Sequence, residues 1–520
     1  MPRPIPSVDR LVRESCAQFS SRPFLHDAED GRCFTFGEFD EQISRAANVL
    51  RELGIGKGDV VSLFLRNSPE FFPCWLGAIR LGAISNPINL GLEHNLERVL
   101  YMLRQSGSRL LIIEAAFAQL AAEVHATLPE LPIVFIDALD GSALDWQAAL
   151  TKASPTIPVV ETGPDEPFQM IFTSGTTGLP KAVVQHHAMV ADGFALVEDH
   201  FGLGGDDVCQ CVLPFFHVNA QYTSFFPMLG TGGQLVLFEK FSASRFFPTV
   251  RKYGVTYISV VPSLLTRLLS AGLPEDRSLY ASLKFIVCGA APLTAQLHRE
   301  FVEKSGIPVA NGWGMTETGC WGCHMDPAKP VWGAMGKPLA INEMKIVDSD
   351  TGRPLPTNHT GSLLVRGPNV FREYFQAPEA THKAFRFGGG WFDTGDDALV
   401  DKNGMFWFVG RGSVDTGKVD GEFVNFLSLD SRLWELPGVS EVCCVGVPDP
   451  IRGQVVCACI VKEPSATLDD AAVLAWATEA GLAYYEMPRH VLFVQEIPKG
   501  DTGKIQRRVM TEQATAALGL

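Results

Sequence analysis

Positive charge is scarce in this 520-residue chain. Lysine and arginine total 43 against 58 aspartates and glutamates, giving a formal net charge of -15 and a pI near 5.3. That balance excludes a broad basic face for nucleic acid, while leaving room for a local basic groove around nucleotide phosphates. Long apolar runs are missing too: none reaches the roughly 18 residues that would span a bilayer, so no membrane partner is expected. Met1–Pro6 has no apolar stretch resembling a signal peptide, and Ala517-Leu-Gly-Leu520 is no lipidation or peroxisomal signal. Cytoplasm is the expected compartment. The 12 cysteines are too few for a disulfide scaffold in a chain of this length and suit a reducing compartment. Cys320-Trp-Gly-Cys323-His324 matches the pattern of covalent haem attachment, a chemistry of exported proteins. A zinc site with Cys209 and Cys211 would match no standard module spacing. Ordinary small side chains lining or flanking a site are the expectation there. No internal repeat or low-complexity stretch is present.

What the chain does have is a phosphate cradle. The run Phe168-Gln-Met-Ile-Phe172 reads as a buried strand, and His187 to His200 has helical spacing. Between them stands Thr173-Ser-Gly-Thr-Thr-Gly-Leu-Pro-Lys181. Gly175 and Gly178 let backbone N–H groups approach oxygens. Thr173, Ser174, Thr176 and Thr177 add hydroxyl donors, and Lys181 adds a positive charge. The loop is not a Walker A motif, because Gly-x4-Gly-Lys-Ser/Thr is absent.

Length and texture imply at least two domains. Strand-like segments at 59–65, 109–114, 208–213, 234–239, 256–261 and 283–288 precede or alternate with helical spacing at 243–253, 263–270 and 294–305. This rhythm predicts an α/β fold of layered parallel sheets with helices on their faces, and ligands beyond the carboxyl ends of the strands. The phosphate loop and Asn311-Gly-Trp-Gly-Met-Thr-Glu317 are both placed there. From Gly336 to Val409, alternating runs at 343–348 and 362–366 separated by turn clusters predict a meander or a small barrel-like subdomain. A compact α+β unit follows, with strands at 442–447 and 455–461 and a helix near 468–480. The boundary is placed at Arg411–Ser413, giving domains 1–410 and 411–520.

Five segments in this order carry a resemblance: Thr173–Lys181, Gly312-Trp-Gly-Met-Thr-Glu317, Trp391-Phe-Asp-Thr-Gly-Asp396, Gly410-Arg411, and Pro498-Lys-Gly-Asp-Thr-Gly-Lys504. Together, over nearly the whole length, the chain resembles the adenylate-forming superfamily of acyl-CoA synthetases, peptide-synthetase adenylation domains and luciferases. The resemblance implies a large N-terminal domain, a small mobile C-terminal lid, and attack of a carboxylate on the α-phosphorus of ATP with loss of pyrophosphate. Both reactants are anionic, so positive charge, Mg²⁺ and backbone donors must offset their repulsion. It further implies roles for single residues. Thr173 to Lys181 hold the leaving phosphates, with Gly312 and Trp313 at the nucleotide. Thr316 contacts phosphate, and Glu317 is the magnesium carboxylate. Asp396 accepts the ribose hydroxyls, Arg411 helps hold ribose or phosphates, and Lys504 bridges carboxylate and phosphate in the transition state. Taken singly, Glu317 could instead cap a helix, the aspartates could be turn residues, and Lys504 could lie on a solvated face.

Leu213-Pro-Phe-Phe-His217 is similar to the family segment bordering the acyl pocket. The Phe216-His217 pair with Gln221 three residues beyond Val218 resembles the carnitine and crotonobetaine ligase branch. His217, Asn219, Gln221, Val261, Gly289, Ala290, Gly314 and Met315 are the expected acid-pocket residues. Trp313 and Met315 suit an aryl or short acyl group, or else fill core. With Phe216 and His217 where an amino-acid-activating domain carries aspartate, the expected substrate is a small polar or aromatic carboxylic acid, passed to coenzyme A with release of AMP. The loop after Arg411 departs from the family: Ser413 stands at the hinge place, one residue is inserted before Lys418, and Phe423 replaces a common asparagine. Alternative acceptors are therefore a carrier-protein thiol or a nitrogen nucleophile, and a non-catalytic binder is the reading from another class. Nothing in the sequence bears on oligomeric state.

Overall fold

The computed structural model describes residues 7–137, 144–173, 180–190, 200–411, 415–419, 422–449, 452–500 and 505–520. Two large parallel sheets dominate. The first has six strands in the order Ile133–Phe135, Ser108–Ile113, Val60–Phe64, Ile84–Pro87, Pro167–Thr173 and Lys181–His186. All its pairings are parallel except the last, an antiparallel hairpin joining Thr173 to Lys181 across the phosphate loop. Strands buried on both faces read as continuous apolar runs, as Val60–Phe64 does.

The second sheet has nine strands. Its parallel centre runs Val309–Trp313, Phe285–Cys288, Tyr257–Val260, Val208–Cys211, Gln234–Leu237, Pro23–Asp27. Antiparallel strands finish both edges, Cys323–His324 with Lys337–Pro338 on one side and Cys33–Thr35 on the other. The expected alternation of strand and helix is present, with helices at Ala243–Tyr253, Pro262–Ala271 and Ala295–Ser305. The last starts on Thr294, whose hydroxyl accepts from the Leu297 N–H, satisfying one of the donors a helix start leaves open.

The N-terminal helices are tied by one buried cation. Arg80, with no exposed surface, donates to Asp9 at 2.7 Å, Asp40 at 2.6 Å and the Ser44 hydroxyl at 2.7 Å. It therefore joins the helices Val8–Gln18, Phe36–Glu52 and Phe71–Arg80. Phe36–Glu52 is itself closed at its start by a reciprocal Thr35–Glu38 capping box.

Of the two forms expected for residues 336–409, the sheet is a meander. Glu343–Val347, Gly361–Arg366, Phe392–Val400 and Phe406–Gly410 pair antiparallel in chain order. It has its own core with Trp313, Phe371, Tyr374 and Phe392. Beyond it, the altered run after Arg411 forms a short hairpin of Thr416–Val419 and Glu422–Asn425. Then come the strands Val439–Asp449, Gly453–Lys462 and His490–Phe493 with helices Phe426–Leu433, Asp470–Glu479 and Arg507–Leu518. The apolar clusters of this last unit draw only on residues from Val419 onward.

Arg507 is the buried charge of that unit. It donates to Asp430 at 2.6 Å, to Asp415 at 2.9 Å and to the Cys444 carbonyl. Removing one member of such a network leaves buried charge uncompensated and costs about 3–5 kcal/mol. Arg507→Met is accordingly expected to raise hydrogen-exchange rates in Val439–Asp449 and Gly453–Lys462 while leaving the strands Val60–Phe64 and Ser108–Ile113 protected. Equal loss in both regions would show that the C-terminal unit does not unfold separately.

Candidate active site

The carboxyl ends of four parallel strands meet at one edge of the nine-stranded sheet. Val208–Cys211 leads into Leu213–His217, Tyr257–Val260 into Val261, Phe285–Cys288 into Gly289-Ala290, and Val309–Trp313 ends on the Gly312-Trp313 pair. Such an edge is where open α/β sheets take ligands. The backbone there is crowded. A Cβ on Gly289 would stand 3.2 Å from the Gly312 carbonyl oxygen, one on Gly312 would stand 2.1 Å from the His324 ring, and one on Gly314 would stand 2.0 Å from the Cys320 carbonyl oxygen. Glycine is required at both 312 and 314 by these contacts. Ala290 holds φ at 65°, a conformation side chains rarely adopt and one found preferentially at functional sites.

After Gly314 the chain turns sharply through Thr316–Thr318, and Cys320 N–H returns to the Met315 carbonyl at 3.0 Å. The turn presents Glu317, only 4% exposed. Tyr374 donates its hydroxyl to Glu317 Oε1 at 2.9 Å, and the Lys181 ammonium lies 5.1 Å from the centre of the Tyr374 ring. The phosphate hairpin and the Glu317 turn are thus joined through one phenol. Burial pushes the Glu317 carboxyl above the usual carboxylate range, against its hydrogen bonds and the Arg411 charge.

The meander contributes Asp396, 6% exposed. Its Oδ2 accepts from the Trp313 indole at 2.9 Å, and its Oδ1 lies 3.3 Å from Arg411 Nε. Neither Oδ1 nor that Nε makes a hydrogen bond, although both are buried. Asp396, ahead of Glu317, holds the Arg411 guanidinium above its ordinary pKa. A buried acceptor oxygen and a buried donor that are ion-paired but not hydrogen-bonded are what a ribose hydroxyl would complete, so the residues present fit a nucleotide. The donor set also fits Mg²⁺, a hard cation held by one or two carboxylates together with substrate phosphates. Among the described residues no three His, Cys, Asp or Glu side chains are grouped to hold an ion by themselves.

Several expected residues are held by other side chains, by backbone groups or within the apolar cores. Gln221 is wholly buried, its Nε2 donating to the Phe215 carbonyl at 2.7 Å and its Oε1 accepting from Gln169 at 2.7 Å. It stands behind the acid segment, in a stretch wound as a π-helical turn, Ala220–Phe225. Asn219 Oδ1 is committed to Thr223 at 2.7 Å and Ser259 at 2.6 Å. Val261 and Trp313 pack into apolar cores, with Met315 against the second of them. His217 is half-buried with its ring 4.6 Å from that of Phe216. Thr316 offers its carbonyl to Gln185 at 3.0 Å. Ser174, Gly175, Thr176, Thr177, Gly178, Ser413 and Lys504 lie outside the described residues, as does most of 187–200. Cys323 and His324 form the strand beside Gly312, with Cys320 and Cys323 pushed up by burial, Cys320 to about 12.

Two functional side chains escaped the sequence reading. Tyr374 carries no motif of its own, and only its contact with Glu317 marks it. Asn425 caps the helix Phe426–Leu433 through Ser428 N–H at 3.0 Å and donates to the Val409 carbonyl, so it ties that helix to the end of the meander.

The raised Glu317 pKa fixes a sign. Folding favours its neutral form, so its burial costs nothing below the unfolded value of about 4.3 and costs most above the raised folded value. Glu317→Gln should therefore gain in Tm over the wild type as pH rises from about 4 to 8, with Tyr374 still donating to the amide oxygen. Thermal unfolding across that range checks it; a difference that is flat or shrinks with pH would show that Glu317 is not held against its charge.

Residues 12–375 match the model of the AMP-binding enzyme family, and 428–504 match the AMP-binding enzyme C-terminal domain. Sulfoacetate–CoA ligase of Cupriavidus necator is 32% identical, covering 97% of both chains. Crotonobetaine/carnitine–CoA ligase of Salmonella paratyphi A is also 32% identical, over 92% of this chain and 93% of its own. The ATP-bound crystal structure of MatB from Rhodopseudomonas palustris superposes with a TM-score of 0.90 at 27% identity, covering 98% of this chain and 99% of that one. With the Asp396–Trp313–Arg411 and Glu317–Tyr374–Lys181 groups at one sheet edge, the chain belongs to the AMP-binding enzyme family.

Proposed function

We propose that this chain adenylates a small polar or aromatic carboxylic acid with ATP and transfers the acyl group to coenzyme A, releasing AMP. The enzyme class is that of AMP-forming acid–thiol ligases. The observation that carries the reading is the junction at which Lys181, Tyr374 and Glu317 converge with Asp396, Trp313 and Arg411. Asp396 accepts the ribose hydroxyls on the oxygen not used by Trp313, and Arg411 supplies the guanidinium beside it. Lys181 and the loop Thr173–Gly178 hold the departing phosphates. Glu317 holds Mg²⁺, which when bound screens the phosphate charges from the incoming carboxylate. Lys504 reaches the carboxylate and α-phosphate from the C-terminal unit. The hinge is assigned to Arg411–Ser413, separating residues 1–410 from 411–520.

A short polar or aromatic acid is supported by two buried donors or acceptors beside Gly312. Trp321 Nε1 and His324 Nδ1 have no hydrogen-bond partner, and their rings lie 5.1 Å apart. An aliphatic tail would leave both unmet, at roughly 1–3 kcal/mol each. Burial pushes His324 down to about 3, with His200 adding to the effect. It therefore reads its ligand as a neutral imidazole, by hydrogen bonding rather than charge. Two relatives act, by name, on sulfoacetate and on crotonobetaine or carnitine, both short polar acids.

Substrate-dependent pyrophosphate release across an acid panel, with and without coenzyme A and with products identified by mass spectrometry, tests the reading. An acyl-CoA and AMP are expected from short polar or aryl acids, and Lys504→Ala should remove adenylation while the fold is kept. Adenylate without thioester would move the acceptor to a carrier-protein thiol or a nitrogen nucleophile. Unchanged adenylation in the Lys504 variant would sink the catalytic assignment. For the pocket, His324→Leu should raise KM for the preferred acid by about 10-fold, equally at pH 6 and pH 9 because the ring is neutral at both. A KM effect confined to the acid end of that range would instead require a charged imidazole.

A further inference from the structure

Three glutamines lie beneath the site, each with no exposed surface. Gln169 and Gln185 are directly opposite each other in the hairpin that carries the phosphate loop. Gln221 comes from the acid segment. Their amides form one connected network: Gln169 Nε2 donates to Gln185 Oε1 at 2.5 Å and to Gln221 Oε1 at 2.7 Å. Gln169 Oε1 accepts from the Trp75 indole at 3.2 Å, and Gln185 Oε1 also accepts from the Tyr222 hydroxyl at 3.1 Å. At the outer ends, Gln185 Nε2 donates to the Thr316 carbonyl at 3.0 Å and Gln221 Nε2 to the Phe215 carbonyl at 2.7 Å.

The orientation of every amide follows from the ends. An indole N–H only donates, so Gln169 must turn its oxygen to Trp75 and its nitrogen to the other two. Gln185 and Gln221 must then present oxygens inward, which leaves their nitrogens for two backbone carbonyls that only accept. No amide in the network can flip without leaving a buried group unpaired, at a cost large enough to hold the arrangement. One end of it grips the turn next to Glu317, and the other grips the chain two residues before His217. The hairpin bearing Thr173 and Lys181 stands between them.

We propose that Gln185 is a positioning residue for adenylation: with Gln169 and Gln221 it sets the phosphate hairpin, the Glu317 turn and the acid segment in one register. The assignment rests on the proposed function. In-line attack requires the carboxylate and the α-phosphorus to be placed within a fraction of an ångström, and this wholly buried network ties together the segments that hold the reactants. Loss of Gln185 therefore leaves nucleotide binding in place and lowers the rate at which bound acid and bound ATP react.

The test is acid-dependent ATP–pyrophosphate exchange on the wild type, Gln185→Met and Gln185→Glu, with AMP affinity by calorimetry and Tm measured on each. Gln185→Met keeps the length of the side chain and loses its bonds. It should cut kcat for exchange by about 10–100-fold while AMP affinity stays near the wild-type value at a temperature where the variant is folded. Gln185→Glu supplies the readout that a merely structural role would not move. When neutral, its carboxyl O–H replaces the lost donor to the Thr316 carbonyl; when ionised, it sets a negative oxygen against that carbonyl. Burial raises the pKa of such a group. Tyr222 is the titratable side chain bonded at this position, and burial holds its phenol well above 10, so it stays silent; Glu317, next to Thr316, is present in wild type and variant alike, which is why the ratio to wild type is read. Exchange by Gln185→Glu, relative to wild type, should recover at least about 5-fold between pH 8 and pH 6. A Gln185→Met kcat equal to wild type, or a Gln185→Glu ratio that is flat with pH, would overturn the assignment. A wild-type protein without acid-dependent exchange would overturn the proposed function itself, and this assignment with it.

Discussion

Two carboxylates buried side by side are the constraint on which the rest of this structure depends. Glu317, on the turn after Val309–Trp313, and Asp396, on a strand of the meander, interact electrostatically and face one guanidinium, that of Arg411. Burying an acid is costly unless it is paired or hydrogen-bonded. The Tyr374 phenol supplies that for Glu317, and the Trp313 indole supplies it for Asp396. Each donor is anchored in the apolar cluster that joins the meander to the parallel sheet. The cluster that holds the layers together is therefore also the one that aims the polar groups, which is why the site cannot be separated from the packing.

Close packing of backbone does the remaining alignment. Gly312 and Gly314 are small because His324 and the Cys320 carbonyl occupy the volume a side chain would need. Asn369, wholly buried, reinforces the same turn by donating to the carbonyls of Thr318 and Trp321 at 2.8 and 2.7 Å. The turn bearing Glu317 is thus fixed by glycine below, asparagine at its side and Gln185 behind, and little of its geometry is left to the ligand. Preorganisation of this kind lets donors act without reorganising during the reaction.

Much of this was legible because it was local. Apolar strand runs, helix spacing and glycine-hydroxyl loops declare themselves within a few residues, and the central strands from Val208 to Cys288 lie where the spacing put them. What escaped depends on partners far along the chain. Pro23–Asp27 is a short strand with no pattern to mark it, and it is fixed by pairing with Gln234–Leu237. Gln221 looked like a ligand contact because polar residues in an acid segment suggest one; only Gln169, from another sheet, shows that its amide is already used. Tyr374 is one aromatic among many until Glu317 lies against it. For Asn425, the sequence marked a missing asparagine at Phe423, while the structure has one two residues later bridging to Val409.

The charge count at the site says what the chemistry still requires. Lys181 and Arg411 offset Glu317 and Asp396, so the described side chains sum to about zero before any substrate arrives. On the proposed function, a triphosphate and a carboxylate must then approach each other in a chain that is already at -15. A net charge of that sign gives neither reactant a long-range attraction. Neutral hydrogen bonds hold the reactants in place but leave that repulsion standing. On that function the missing positive charge arrives with the reaction, as the cation proposed for Glu317 and as Lys504. A site balanced in this way holds its geometry while empty, and on the proposed function it gains its electrostatic drive only when nucleotide and cation are bound together.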